Sequence, residues 1–173
     1  MATPPEAAPA PGRRLKGAAL AGLIAATVAS VTPMLTQPNE GYSGRAYLDP
    51  AGYLTQCYGE RQVDPALIYS EGQCAAKLRR RMARDYAPAI IRCVPDFADP
   101  ARRLAFGAAL DASYNAGPRG FCASPMARAF NAGRWAQGCA AFTGWRITAA
   151  GRWLPGLDRR RREETTYCLT GQR

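Results

Sequence analysis

The stretch at residues 39–59, NEGYSGRAYLDPAGYLTQCYG, combines turn-forming residues with two carboxylates and a threonine hydroxyl. Glycine, proline and tyrosine alternate here with polar residues, a pattern typical of short strands and tight turns, and residues 49–52 are a predicted turn. The two acids are Glu40 and Asp49, and the hydroxyl belongs to Thr55. Each of them, taken alone, is best explained as a surface charge, a cap or a strand residue. The function of this stretch therefore has to be inferred from its context in the rest of the sequence.

The chain beyond this stretch predicts helices. Ser70 opens a Ser-Glu-Gly-Gln capping box, and Asp99 and Ser124 are each capping residues that precede a proline. Apolar residues recur at intervals of three or four along the segment after Ser70, which is the helical period. Helices are predicted at residues 71–93, 100–115, 125–131 and 134–143, and from residue 157 onward. With the strand-rich stretch they predict an α+β fold: a small antiparallel β lobe and a mostly helical lobe, joined by a long helix.

The chain is basic, with 23 Lys and Arg against 13 Asp and Glu, a net charge of +10. The first 39 residues hold three basic residues and one acid, or +2, so the segment from Glu40 onward carries +8. A basic folded domain suggests an anionic partner, such as nucleic acid, acidic lipid or a cell-wall polymer. Charge alone does not choose among these partners.

Six cysteines lie beyond residue 50, and the chain has no histidine. No two cysteines have the CxxC spacing of a zinc site, so a metal site is disfavoured. Three disulfides in an oxidising compartment are the preferred hypothesis, and reduced buried cysteines are the alternative. The spacing alone leaves the pairing open.

The first 37 residues contain two distinct segments. Residues 1–12 are rich in proline and alanine and are predicted to be disordered. Residues 13–37 begin with basic residues and continue as a weakly apolar run, interrupted by Pro33, that just reaches the length needed to cross a bilayer. A signal anchor that inserts weakly and later leaves the bilayer fits this composition best. A cleaved signal peptide, a permanent anchor and a buried core helix are the alternatives.

Two carboxylates without a histidine are typical of acid–base chemistry on acetals or phosphates. One acid is kept protonated by its surroundings and gives its proton to a leaving oxygen. The other acid stays ionised, and it holds a water molecule or stabilises developing positive charge.

The order Glu40, Asp49 and Thr55, within EG…AYLDPAGYLTQCYG, resembles the catalytic signature of phage-type lysozymes, the endolysins of glycoside hydrolase family 24. ALDASYNAGPRGFCASPMARAFNAGRW and FTGWRITAAGRWLPGLDRRRREETTYCL resemble two later segments of the same family. The resemblance spans residues 39–170, and its three motifs occur in the family's order.

The resemblance implies a lysozyme-like catalytic domain at residues 39–173. Such an enzyme hydrolyses the β-1,4 bond between N-acetylmuramic acid and N-acetylglucosamine in peptidoglycan, with no cofactor and no metal. By position, Glu40 is the general acid in a partly buried cleft. Asp49 orients the attacking water or stabilises the oxocarbenium-like state, and Thr55 shares that water.

The resemblance also implies a location and a set of partners. We expect a monomer that is tethered to the inner membrane by residues 13–37, becomes periplasmic on release, and does not bind nucleic acid. Secretion after signal cleavage is the alternative. Because Glu40 follows the apolar run closely, anchoring is expected to hold this acid at the bilayer surface, displaced from Asp49. The family topology suggests the disulfides Cys57–Cys74, Cys93–Cys168 and Cys122–Cys139.

Two charged features are not part of the catalytic signature. Glu60 stands where family members commonly have histidine, and we interpret it as a variant of the cleft wall. The arginine runs at residues 79–81 and 159–162, with Arg84, are expected to steer the enzyme to an anionic wall, unless they are simply solvated helix faces.

Two rival functions remain at this stage. A lytic transglycosylase acts on the same bond with one acid and no water. A non-catalytic basic protein that binds cell wall or nucleic acid is the second rival. The presence of Glu40, Asp49 and Thr55 disfavours a pure binding protein, and the export segment disfavours nucleic acid.

Overall fold

The computed structural model describes residues 13–49, 51–61, 63–149 and 151–171. The predicted disorder of residues 1–12 lies outside the described residues, as does Pro50 of the predicted turn. The rest of that turn is present: the Gly52 N–H donates to the Asp49 carbonyl at 2.8 Å, and the Asp49 N–H donates to the Tyr53 carbonyl at 2.9 Å.

The first element of the described part of the chain is a long helix, Gly17–Glu40, called here the N-terminal helix. It is α-helical over Gly17–Val31, widens to a π-helical turn at Thr32–Thr36, and ends with an α-helical turn, Gln37–Glu40. By length and composition this helix is able to cross a membrane, as are many core helices and signal sequences. In the folded domain its Val28, Val31 and Leu35 side chains belong to the hydrophobic core.

Two prolines are accommodated by π turns rather than by helix breaks. In each case the residue before a proline donates its N–H to the carbonyl five residues earlier: Gln37 to Thr32, and Ala87 to Met82. Proline lacks an N–H, and its ring clashes with the carbonyl four residues before it. The wider turn relieves that clash, so the N-terminal helix continues to Glu40 despite its prolines.

The predicted β lobe is confirmed as a hairpin of two strands, β1 (Ser43–Leu48) and β2 (Leu54–Cys57). The strands are antiparallel, with Tyr47 opposite Thr55, and an irregularity in register lies between Ser43 and Tyr47. A second short pair of strands, Thr148–Ala149 and Arg152–Trp153, precedes the last helix.

The remaining elements form the helical lobe. The connecting helix covers residues 71–93 as Glu71–Arg81, the π turn Met82–Tyr86, and Ala87–Cys93. Two 3-10 turns follow, Pro95–Ala98 and Pro100–Arg102, and then the central helix, Arg103–Ala116. Three short helices, Pro118–Cys122, Pro125–Asn131 and Trp135–Ala140, lead to the C-terminal helix, Pro155–Thr170.

The predicted helix caps are confirmed. Ser70 and Gln73 form a reciprocal capping box, in which each side chain accepts a hydrogen bond from the backbone N–H of the other. Asp99 and Ser124 also accept backbone N–H groups at their helix starts. Each cap satisfies amides that the first helical turn leaves without a partner, and this is why local sequence located these boundaries well.

One expected disulfide is present, and the other two expected pairings are wrong. The structure confirms Cys57–Cys74, which ties β2 to the connecting helix. The short helix after the central helix packs against the end of the connecting helix, and the last short helix packs against the C-terminal helix. The remaining disulfides join those neighbours, with Cα–Cα distances of 5.7 Å and 5.4 Å: Cys93–Cys122 and Cys139–Cys168.

Removing the Cys93–Cys122 disulfide, in the variant Cys93→Ala/Cys122→Ala, is expected to lower the free energy of unfolding by about 3–4 kcal/mol. The reason is that this disulfide closes a loop across 29 positions, which restricts the unfolded chain. Chemical denaturation measures the loss, and peptide mapping without reduction identifies the bond. A mapped Cys122–Cys139 peptide would contradict the pairing.

Candidate active site

The three residues predicted to be catalytic line one cleft, a cavity of about 380 Å³. They come from different elements: Glu40 ends the N-terminal helix, Asp49 follows β1, and Thr55 lies in β2. The hairpin therefore faces the end of the helix, and the cleft lies between them.

Glu40 presents its two carboxylate oxygens to different surroundings. Oε1 accepts a hydrogen bond from Arg160 Nη1 at 2.6 Å. Oε2 lies on the side of Gly59, where an added Cβ would come within 3.7 Å of it. Gly59 has a φ of +84°, a backbone conformation that favours glycine. The Glu40 side chain is 20% exposed, which leaves it open to the cleft.

Asp49 is held by the turn that follows it. Its Oδ1 accepts the N–H groups of Ala51 and Tyr53, both at 2.9 Å. Its Oδ2 lies 3.5 Å from Arg61 Nη2. Two backbone donors and a nearby guanidinium thus surround the carboxylate. The arrangement fixes an anion on the hairpin side of the cleft.

Thr55 is almost fully buried, with 3% of its surface exposed, and it lies in β2 directly opposite Tyr47 of β1. Its hydroxyl donates to the Tyr53 carbonyl at 3.1 Å. Because the hydroxyl hydrogen is used there, the Oγ1 lone pairs are left to accept a hydrogen bond from the cleft.

Behind Glu40 lies a group of five charged residues, called here the buried ion cluster: Glu40, Asp111, Arg160, Arg161 and Glu164. Arg160 is 3% exposed and binds the fully buried Asp111 through two parallel contacts, Nε to Oδ2 at 2.9 Å and Nη2 to Oδ1 at 3.0 Å. Arg161 donates to both Glu164 oxygens and to Asn115 Oδ1. Three helices thus meet at two guanidinium groups.

The buried ion cluster holds three carboxylates against two guanidinium groups. Burial raises the pKa of the Glu164 carboxyl well above its usual range, and the nearby Asp111 charge raises it further. Arg161 and Arg160 offset part of this effect.

The expected steering role of the second arginine run is wrong for its middle two members. Arg160 and Arg161 are buried, and only Arg159 and Arg162 at the ends of the run are exposed. The sequence held one signal for this cluster, because Asp111 is a lone acid within an apolar helix. A buried charge requires a partner, but the sequence does not indicate which of the chain's many arginines provides it.

Glu60 forms an ion pair with Arg81, Oε1 to Nη1, at 3.0 Å. Arg81 in turn lies over the rings of Tyr86 and Tyr114, at 5.8 Å and 5.7 Å from their centroids. It is Arg81 rather than Glu60 that lines the cleft cavity. Glu60 therefore contributes to the cleft indirectly, by holding a cation in its wall.

The aromatic wall of the cleft is partly desolvated. The Tyr114 hydroxyl donates to the Tyr58 carbonyl. Burial raises the pKa of the Tyr114 phenol well above its usual range, and the Glu40 charge adds to this. Burial likewise raises the pKa of Tyr86. Both phenols remain neutral hydrogen-bonding groups at any physiological pH.

Among the described residues, no group of three or more His, Cys, Asp and Glu side chains is arranged to hold a metal ion. The absence of a cofactor stays a prediction.

Glu164→Gln is expected to flatten the pH dependence of stability. The raised pKa of Glu164 means that the folded protein holds this proton more tightly than the unfolded chain does. Its contribution is therefore full at low pH and is lost as pH rises from the ordinary carboxyl range through the raised value. Thermal unfolding of both proteins between about pH 5 and 8 measures the difference. The control Glu163→Gln, at the half-buried neighbouring carboxylate, is expected to keep the wild-type slope; an unchanged slope in Glu164→Gln would contradict the assignment.

Several solved structures share this fold. The active form of the P1 phage endolysin Lyz aligns with a TM-score of 0.64 at 21% identity, over 94% of this chain and 98% of that chain. The muramidase domain of SpmX from Asticaccaulis excentricus aligns with a TM-score of 0.67 at 22% identity, over 91% and 99%. A mutant of P22 lysozyme aligns with a TM-score of 0.65 at 20% identity, over 83% and 95%. At these identities the likeness establishes the fold.

No curated protein sequence matches this chain. The sequence model of the family described as phage lysozyme matches residues 37–164, nearly three quarters of the chain, and this range contains the whole cleft and the buried ion cluster. The chain therefore belongs to the phage lysozyme family, and it is a glycosidase that hydrolyses peptidoglycan.

Proposed function

We propose that this lysozyme uses Glu40 as its general acid, Asp49 as its ionised carboxylate and Thr55 as a ligand of the attacking water. The observation that carries the proposal is the convergence of all three residues on one cleft from two separate parts of the chain. Hydrolysis of a glycosidic bond by single displacement uses a proton donor and an anion on either side of the reacting carbon, with a water beside the anion.

Glu40 Oε2 is the atom proposed to carry the proton to the leaving oxygen. Oε1 is fixed by Arg160, so only Oε2 is directed to the open side of the carboxyl group. The Arg160 guanidinium is already paired with Asp111, which compensates much of its positive charge. Arg160 therefore orients the Glu40 carboxyl group while most of its own charge is balanced by Asp111.

Asp49 and Thr55 are proposed to hold the water. The backbone amides of the turn keep the Asp49 carboxylate in place. The Thr55 hydroxyl donates to the backbone, so it accepts a hydrogen from the water and turns the lone pair of the water towards the sugar. As the bond to the leaving group breaks, the same carboxylate stabilises the positive charge that develops on the sugar ring.

Cavities adjoin the cleft on two sides, as a polymeric substrate requires. Glu40 and Asn115 also border a cavity of about 370 Å³ that is lined by residues 154–157. Arg61 and Arg81 also border a larger cavity of about 610 Å³. The cleft thus opens into further space that a polymeric substrate can occupy, which supports cleavage within the glycan chain and, with it, lysis of a host cell.

Glu40→Gln is expected to lower peptidoglycan hydrolysis by about 100-fold to 10,000-fold, the range for loss of a general acid, while the fold is retained. Asp49→Asn is expected to cause a similar loss, and Thr55→Ala a smaller one. The rate of turbidity decrease of purified cell walls measures each loss. The control Asp64→Asn, at an exposed acid of the hairpin lobe that keeps its turn hydrogen bond, is expected to retain activity.

Near wild-type wall clearance by Glu40→Gln would contradict the assignment. Full activity of Asp49→Ala with anhydro-sugar products would instead favour the lytic transglycosylase mechanism, because that reaction uses no water.

Action on peptidoglycan implies export, and we propose that residues 13–37 tether the protein to the inner membrane before they join the folded domain. The same helix would serve as the membrane tether and later as part of the folded domain. Val28, Val31 and Leu35 belong to the core, and Glu40 is the last residue of the same helix. A helix that lies in the bilayer withholds its core side chains and moves the catalytic acid away from Asp49, so the tethered protein is inactive.

The substitutions Ala21→Leu, Ala25→Leu and Ala26→Leu are expected to prolong membrane retention and delay lysis. All three alanines are exposed in the folded domain, so longer apolar side chains favour the bilayer without disturbing the core. Fractionation of membranes and the time to lysis measure the effect. The matched change Ala136→Leu/Ala140→Leu, at exposed sites on a short helix, is expected to have no effect. Unchanged release of the first variant would contradict the tether.

A further inference from the structure

The larger cavity beside the cleft is bordered by five cations and two acids: Arg61, Lys77, Arg80, Arg81 and Arg84, with Glu60 and Asp85. We propose that this cavity, called here the basic cavity, binds the carboxylates of the peptide stems that branch from the glycan substrate. The inference rests on the proposed function, because it assigns the place of the branches relative to a glycan chain in the cleft.

Position is the first argument. Arg61 and Arg81 line both the cleft and the basic cavity, so the two spaces share a wall. In peptidoglycan the sugar backbone is uncharged, since the lactyl carboxyl group of the muramic acid unit is consumed in the amide bond to the stem. The negative charge lies on the stems, and a stem attached near the cleaved bond extends sideways from the chain. A basic recess beside the cleft matches that charge distribution.

Uncompensated charge is the second argument. Glu60 is already paired with Arg81, at 3.0 Å. Within the part of the chain that the structure describes, Lys77, Arg80 and Arg84 have no carboxylate within 4 Å. With five cations and two acids, the lining carries a net charge of +3, and Asp49, at 3.5 Å from Arg61, leaves +2. It is therefore an anion-binding surface that the protein itself does not neutralise.

The arrangement on the connecting helix is the third argument. Lys77, Arg80, Arg81 and Arg84 follow one another at intervals of three, one and three residues, so they share a helix face. Like charges at such spacings repel and destabilise a helix. Part of the cost is offset locally, because Lys77 Nζ lies 3.9 Å from the Tyr69 ring centroid. Across the cavity, Arg61 lies 4.1 Å from the ring centroid of Tyr53. These rings also hold two of the cations at the cavity wall.

The shape of the site favours a stem carboxylate over a membrane phosphate. A recess of about 610 Å³ accepts a branch that enters it, whereas lipid headgroups present a flat surface. Arginine and lysine bind a carboxylate through short charge-assisted hydrogen bonds, and several of them around one recess hold a stem that carries more than one carboxylate. The basic cavity would then select cross-links or stems by their charge and help to orient the glycan in the cleft.

The test compares Lys77→Gln/Arg80→Gln/Arg84→Gln with a control of equal charge, Arg79→Gln/Arg92→Gln/Arg119→Gln. The control residues are exposed and do not border the basic cavity. Each protein is assayed on soluble glycan chains in three forms: with intact stems, with the stem carboxylates amidated, and with the stems removed by an amidase and the lactyl carboxylates freed by that cleavage then amidated. The first variant is expected to raise KM about tenfold on intact stems, as for the loss of several exposed ion pairs, with little change in kcat. On the amidated and stripped chains it is expected to match wild type, and the control is expected to match wild type on all three.

An unchanged KM on intact stems, or an equal loss on all three chains, would overturn the inference. Loss of binding to vesicles of anionic phospholipid with an unchanged KM on intact stems would also overturn it and would assign the basic cavity to the membrane. Wild-type activity on stripped chains, without any preference for stems, overturns this inference but leaves the proposed catalytic roles intact. A wild-type protein that cleaves none of the three chains overturns both.

Discussion

The guanidinium group of Arg160 joins three helices that are far apart in the chain. It comes from the C-terminal helix, binds Asp111 of the central helix through two contacts, and reaches Glu40 at the end of the N-terminal helix. Buried charges of this kind are costly to desolvate, and removal of one partner leaves the others buried without a compensating charge. The position of Glu40, and with it the geometry of the cleft, therefore depends on these contacts. They also explain why three carboxylates and two arginines are retained inside a domain that is otherwise packed with aromatic and aliphatic side chains.

The N-terminal helix connects folding to catalysis. Its buried side chains, including Val31 and Leu35, pack in the core, while its exposed positions are mostly alanine and glycine. Its length and apolar composition are also those of a helix able to cross a membrane, which is the basis of the proposed tether. The π turn at Thr32–Thr36 lets this helix pass its prolines and deliver Glu40 to the cleft.

The basic charge of the chain is divided among separate tasks. Arg160 and Arg161 are buried and position carboxylates, whereas Arg81 stands in the cleft wall and is held there by Glu60. Other cations are exposed around the basic cavity or elsewhere on the surface. Net charge alone suggested an anionic partner in general. The distribution shows that some of these cations are buried and unavailable to any partner, and that one group of the others borders a single cavity beside the cleft.

Local sequence determined a large part of this protein: the hairpin, the helix starts at Ser70, Asp99 and Ser124, and, through three ordered motifs, the family. These features depend on neighbours within a few residues, such as a cap and the amides it satisfies. The tertiary structure alone decided two of the disulfide pairings, the partner of Glu60 and the contacts of Arg160, which span 49 and 120 positions. Such pairings depend on how helices pack against one another, and many different partners are compatible with the same local pattern. Sequence therefore named the catalytic candidates, and packing decided which charges hold them in place.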